Sequence, residues 1–82
     1  MNHDAVYTGL LSILEEHYER DPPYFVPSSE LRARLDMPVE ALRPYAEELE
    51  KLGYAQKLEG LAPTFIVKFT ASGHKAYKQK AL

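Results

Sequence analysis

The run from Ser28 to Tyr54 constrains this chain more than any other part. It reads S-S-E-L-R-A-R-L, then D-M, then P-V-E-A-L-R-P-Y-A-E-E-L-E-K-L-G-Y. The spacing predicts a short helix, a tight turn and a longer helix. Leu31 and Leu35 fall at i and i+4 with Ala33 between them, and the helix stops near Asp36. Val39, Leu42, Ala46, Leu49 and Leu52 follow at i, i+3, i+7, i+10 and i+13, which is one face of a helical period. Ser28 or Ser29 is placed to cap the shorter helix, with Glu30 in its first turn where the helix dipole favours an acid. Pro38 suits the first turn of the longer helix, and Gly53 suits a left-handed cap at its end.

The flanking segments complete a pattern. Asp4 to about Arg20 reads as a helix, with Val6, Leu10, Ile13, Leu14 and His17 on one stripe. Tyr7, Leu11 and Tyr18 widen that stripe beyond what one small core usually covers. Asn2, His3 or Asp4 is placed to cap its start, and Asp21-Pro22-Pro23 stops it. Gly9 costs about 1 kcal/mol against alanine inside a helix, which predicts that something packs closely there. Tyr24, Phe25 and Val26 form a candidate edge strand before Pro27. Beyond the longer helix, Tyr54 to Glu59 starts one strand, and Gly60 and Pro63 mark a loop. Thr64 to Thr70 alternates, with Phe65, Val67 and Phe69 on one face, so a hairpin is expected. Thr70 or Ser72 caps a last short helix from Gly73 to about Lys80, with Ala76 and Tyr77 facing inward.

Composition narrows the functional classes. The 82 residues are expected to form one domain spanning 1–82. No cysteine is present, which removes disulfides and thiolate metal sites and fits a reducing cytoplasm. No apolar run reaches the roughly 20 residues needed to span a bilayer, and no secretory leader is evident. The three histidines, His3, His17 and His74, are not paired at metal-ligand spacing. No phosphate-binding loop, nucleophile elbow or cysteine nucleophile appears. No enzymatic activity, metal or cofactor is expected. The net charge of -2 hides an asymmetry between the ends. Residues 1–30 carry Asp4, Glu15, Glu16, Glu19, Asp21 and Glu30 against Arg20 alone. Residues 60–82 carry Lys68, Lys75, Lys78 and Lys80 with no acid. Such polarity marks either a nucleic-acid face or differently charged solvated faces.

S-S-E-L-R-A-R-L at Ser28–Leu35, the turn at Asp36 and Met37, L-E-K-L-G-Y at Leu49–Tyr54 and F-T-A-S-G-H-K-A at Phe69–Ala76 resemble the winged helix-turn-helix superfamily, specifically small MarR-like transcriptional regulators. The resemblance covers nearly the whole chain. It implies an α+β, mostly α fold with a three-helix core, a two- to three-stranded β wing and a short C-terminal helix. It implies duplex DNA binding through the third helix and the wing. Carried over, the base-reading positions fall on Val39, Glu40, Ala41, Arg43, Pro44 and Glu47. Only Arg43 has the chemistry of a base reader, because arginine can donate two hydrogen bonds to guanine. Glu40 and Glu47 would repel phosphates. Pro44 removes a helical hydrogen bond, so a kink, a shortened helix or a helix that starts only at Pro44 is expected.

The candidate DNA contacts are Arg32, Arg34, Arg43, Lys57, Lys68 and Lys75. Tyr7, Leu11, Tyr18 and Tyr77 form a candidate homodimer seam, since tyrosine is enriched at interfaces. The leading expectation is therefore a cytoplasmic, homodimeric regulator that binds double-stranded DNA. The alternative is a winged-helix module that binds a protein through the same helix surface, and the acidic, proline-interrupted third helix favours it.

Overall fold

The computed structural model describes residues 4–82. The proposed caps Asn2 and His3 lie outside the described residues. The elements run α1 (Asp4–Arg20), β1 (Val26–Pro27), α2 (Ser28–Leu35), α3 (Val39–Lys51), β2 (Ala55–Glu59), β3 (Phe65–Phe69) and α4 (Ala71–Lys78). The three strands are antiparallel in the order β1-β3-β2, with β3 central. This is the winged helix-turn-helix arrangement, an α+β fold in which three helices pack on a small sheet.

Alternation sets the two faces of that sheet. Val26, Val67 and Lys57 form one rung, and Ala55 pairs with Phe69. All five are buried, so this face is turned to the core. Pro27, Ile66 and Leu58 form a rung of the opposite face. Against the inner face lie Leu10, Leu11, Ile13 and Leu14 of α1, Leu31 of α2, and Val39, Leu42, Ala46 and Leu49 of α3. The helical spacings of the sequence thus converge on one core, except that Leu52, expected on the same face as Leu49, is exposed at the end of α3.

Several expected details are corrected. Neither Ser28 nor Ser29 caps α2, because both lie inside it and Pro27 occupies the cap position. Ser28 is 1% exposed, and its hydroxyl accepts the Phe65 amide at 3.2 Å. A two-residue β1 is too short to serve every donor of β3, and this hydroxyl takes over where the ladder ends. The edge strand is Val26–Pro27 rather than Tyr24–Val26. Tyr54 lies outside β2. Helix α4 starts two residues earlier than expected, at Ala71, with Thr70 as its cap, accepting from the Gly73 amide at 3.0 Å.

The expected disruption at Pro44 does not shorten the helix: α3 runs unbroken from Val39 through Pro44 to Lys51. The missing amide would have served the carbonyl of Glu40 one turn back. Glu40 is exposed, so water can satisfy that carbonyl. At the other end, the Gly53 amide bonds the Glu50 carbonyl at 3.0 Å and the Tyr54 amide bonds Leu49 at 2.9 Å. With Gly53 at φ 82°, these two bonds form the left-handed cap that the sequence suggested.

The wide face of α1 is covered in part within the chain, and Leu11 is removed from the candidate dimer seam. Leu11 is 4% exposed and belongs to the core. Tyr18 stacks on His74 of α4 at 4.5 Å between ring centroids, Tyr77 lies 5.9 Å from Phe69, and Tyr7 lies 6.2 Å from Tyr45 of α3. Helix α4 and the flank of α3 are the partners that the tyrosines required.

Two glycines mark close approaches of different kinds. A Cβ on Gly9 would meet Leu35 Cδ2 at 2.6 Å, the end of a mobile side chain. A Cβ on Gly73 would meet the Tyr54 carbonyl oxygen at 1.9 Å, and that carbonyl also accepts the Thr70 amide at 3.0 Å. Backbone cannot step aside as a leucine methyl can. We predict that Gly73→Ala lowers stability by about 2 kcal/mol or more, while Gly9→Ala, offset by about 1 kcal/mol of helix propensity, stays within about 1 kcal/mol of wild type. Urea unfolding of the two variants checks the ranking; equal losses would contradict it.

Candidate nucleic-acid interface

The base-reading positions that the resemblance implies lie on α3, beside the β2–β3 hairpin. Helix α3 carries Glu40, Glu47, Glu48 and Glu50 against Arg43 and Lys51. Its central cation is already engaged. Arg43 pairs with Glu47 one turn along at 3.3 Å and with Glu59 of β2 at 2.9 Å. It also donates to the Pro63 carbonyl at 3.0 Å and lies 5.7 Å from the centre of the Phe65 ring. Glu59, Pro63 and Phe65 all belong to the hairpin or its loop, so Arg43 ties α3 to the wing.

Lys57 completes the arrangement. It faces the core side of the sheet, and its side chain is only 5% exposed. Its ammonium pairs with Glu59 and lies 3.9 Å from Glu47. Arg43, Glu59, Lys57 and Glu47 therefore form a closed ring of alternating charge between α3 and β2. A lysine on a β-sheet face turned inward would be costly to bury alone, and the two carboxylates compensate it. Lys57, expected among the DNA contacts, is instead buried and paired with carboxylates of its own chain. The alternation of β2 already places Lys57 on the same face as Ala55, which is the signal that sequence reading passed over.

The other candidates divide into engaged and available cations. Arg34 is held by Glu16 at 3.0 Å and Glu30 at 3.2 Å, joining α2 to α1. His17 joins the same cluster, 2.7 Å from Glu30. Lys68 lies 5.6 Å from the centre of the Phe25 ring on the outer face of the sheet. Arg32 and Lys75 are exposed and have no ion-pair partner among the described residues. Arg32 borders a cleft of about 410 Å³ between the helix-turn-helix turn and the hairpin loop, lined also by Asp36, Met37, Pro38, Val39, Glu40 and Pro63. Asp36 takes the left-handed conformation there, with φ 54°. Among the described residues, no group of three metal-ligating side chains comes together. No helix among them is long and apolar enough to cross a membrane.

The charge asymmetry of the two ends has a structural destination. Lys78 of α4 lies 3.1 Å from Glu15 and 3.0 Å from Glu19, and His74 lies 3.0 Å from Glu19. The acidic N-terminal helix and the basic C-terminal helix thus neutralise part of one another's charge. Lys78 was not among the candidate site residues, and its acidic partners lie about sixty residues away in sequence, beyond any local spacing rule.

These pairs shift titrations in one direction. Glu59 is held below its ordinary value of 4.5 by hydrogen bonds from Lys57 and then Arg43. Glu19 is lowered by Lys78 and His74, Glu16 by Arg34, and Glu30 by His17 ahead of Arg34. The raised values of Arg34, Arg43 and Lys78 mirror the same contacts with Glu16, Glu59 and Glu19 respectively. A carboxylate whose folded pKa is depressed contributes stability that is present above its unfolded pKa and lost as pH falls through the folded one. We therefore predict a melting temperature insensitive to these four groups above about pH 5 that declines progressively below about pH 4. Thermal scans check this; a melting temperature unchanged down to about pH 3 would contradict it.

No protein-family profile matches the chain, and no curated protein matches its sequence. Among solved structures, the chain is similar to a protein of Ralstonia eutropha JMP134 described as a "putative DNA-binding protein". The TM-score is 0.80 at 18% identity, covering 94% of this chain and 95% of that one. At that identity the likeness concerns the fold.

Proposed function

We propose that this chain is a DNA-binding winged-helix domain that acts as a cytoplasmic transcriptional regulator of MarR-like type. The observation that carries this reading is the placement of α2, the turn at 36–38 and α3 beside a three-stranded wing. The Ralstonia protein of the same fold, whose own description is DNA-binding, supports it. In this reading duplex DNA lies along α3 and the hairpin. The expected homodimer, without Leu11 in its seam, belongs to the same proposal. The function is one of binding rather than catalysis.

The electrostatics limit how such binding works. Non-specific affinity for duplex comes largely from cations that neutralise phosphates. Arg34 and Lys57 are engaged with carboxylates of their own chain. Arg32, Lys68 and Lys75 are the candidate cations left without a carboxylate partner among the described residues. Arg32 is the best placed of these, because it borders the cleft between the turn and the wing loop.

A second reading has its own observation. Four glutamates line α3, and its central arginine is turned to its own wing. A basic segment of a partner protein would suit that surface better than a phosphate backbone does.

A salt titration with a mixed-sequence duplex separates the two. The DNA reading expects binding at low salt, with log affinity falling linearly against log salt. Arg32→Ala should reduce the slope by about one, since each neutralised phosphate contributes roughly 0.9. Arg34→Ala should change it less, because Arg34 is occupied by Glu16 and Glu30. Failure of the wild-type protein to bind any duplex at low salt would overturn the DNA reading and leave the protein-binding one.

A further inference from the structure

The ion ring does more than join two elements. Arg43 is the base-reading candidate on α3, and every polar group it reaches is a mimic of what DNA would offer. Glu59 and Glu47 present carboxylate oxygens at 2.9 Å and 3.3 Å, as phosphates would. The Pro63 carbonyl accepts at 3.0 Å, as a guanine O6 would. We infer that Glu59 is an intramolecular competitor for Arg43: the free domain holds its reading arginine against the wing, and duplex binding requires Glu59 to yield it. This rests on the DNA reading above and names the residue that sets affinity within it.

Position in the fold favours Glu59 over Glu47 as the competing group. Glu59 meets Arg43 from the wing, across 16 positions of sequence, so releasing it frees the hairpin from α3. Glu47 is a neighbour one helical turn away and stays beside Arg43 whatever the wing does. The Glu59 side chain, 54% exposed, can swing toward solvent when a phosphate takes its place. Lys57 does not follow it. With its side chain 5% exposed, Lys57 retains Glu47 at 3.9 Å as a partner. The exchange therefore transfers one cation to DNA and leaves the inner lysine compensated.

The direction of the effect separates this role from a structural one. A residue that only supports the fold weakens binding when it is changed. A competitor tightens it. Glu59→Gln keeps the shape of the side chain and an oxygen that can still accept from Lys57, but removes the charge. Duplex affinity should rise roughly three- to tenfold, because the released pair and the removed repulsion from phosphate are each of the size of an exposed ion pair. The salt slope should change little, because Glu59 yields Arg43 to the duplex in the wild-type complex as well.

The test is a double-mutant cycle on a mixed-sequence duplex with wild type, Glu59→Gln, Arg43→Ala and the double variant. The account expects a clearly larger tightening by Glu59→Gln in the wild-type background than when Arg43 is already alanine, where only the lost repulsion remains. Equal tightening in both backgrounds would mean that Glu59 acts only as a repelling charge and would overturn the inference. Weaker or unchanged binding by Glu59→Gln, with wild type binding normally, would also overturn it. No binding by any of the four proteins would remove the DNA reading itself, and the inference with it.

Discussion

The contact between Arg43 and the wing is the constraint on which the proposed binding surface depends. A two-stranded hairpin is marginal by itself in water. Here β3 is central, but its N-terminal end and the loop beyond Glu59 project past β1, which is only two residues long. Arg43 reaches that end in three places, at Glu59, Pro63 and Phe65. Lys57 and Glu47 close the ring behind it. The orientation of the wing relative to α3, which any ligand lying across both must match, is set there by charge as well as by apolar packing.

Much of the fold was legible because local and global signals agree. The helical spacings of α1 and α3, the glycine at 53 and the alternation of β3 all specify the elements that form. Most of the misses are those in which a residue's partner lies far away in sequence, and Pro44 is a local one. Ser28 looks like a helix cap until the distant Phe65 amide claims it. Leu11 and Tyr18 look unpartnered until the core takes up Leu11 and His74 of α4 stacks on Tyr18. Pro44 looks like a break until the helix around it proves long enough to tolerate one missing hydrogen bond at an exposed carbonyl.

The candidate site was less legible for a related reason. A list of lysines and arginines contains no information on which carboxylates will meet them. Arg34 has Glu30 one turn away, a spacing visible in the sequence, but Glu16 comes from another helix. The acid-rich start and base-rich end of the chain suggested a nucleic-acid face, and folding turns part of that polarity into the contacts between α1 and α4. What is left for a ligand is a smaller set, with Arg32 beside the cleft at the wing loop.

The central claim is that Glu59 holds Arg43 in the free protein, and carbon-detected NMR of the Glu59 carboxyl group tests it most directly. The account predicts a titration midpoint below the ordinary glutamate value of 4.5, through Lys57 and Arg43, that moves back part of the way in Arg43→Ala while Lys57 remains. A Glu59 that titrates at the ordinary value, and does so with or without Arg43, would contradict the ring and the functional reading built on it.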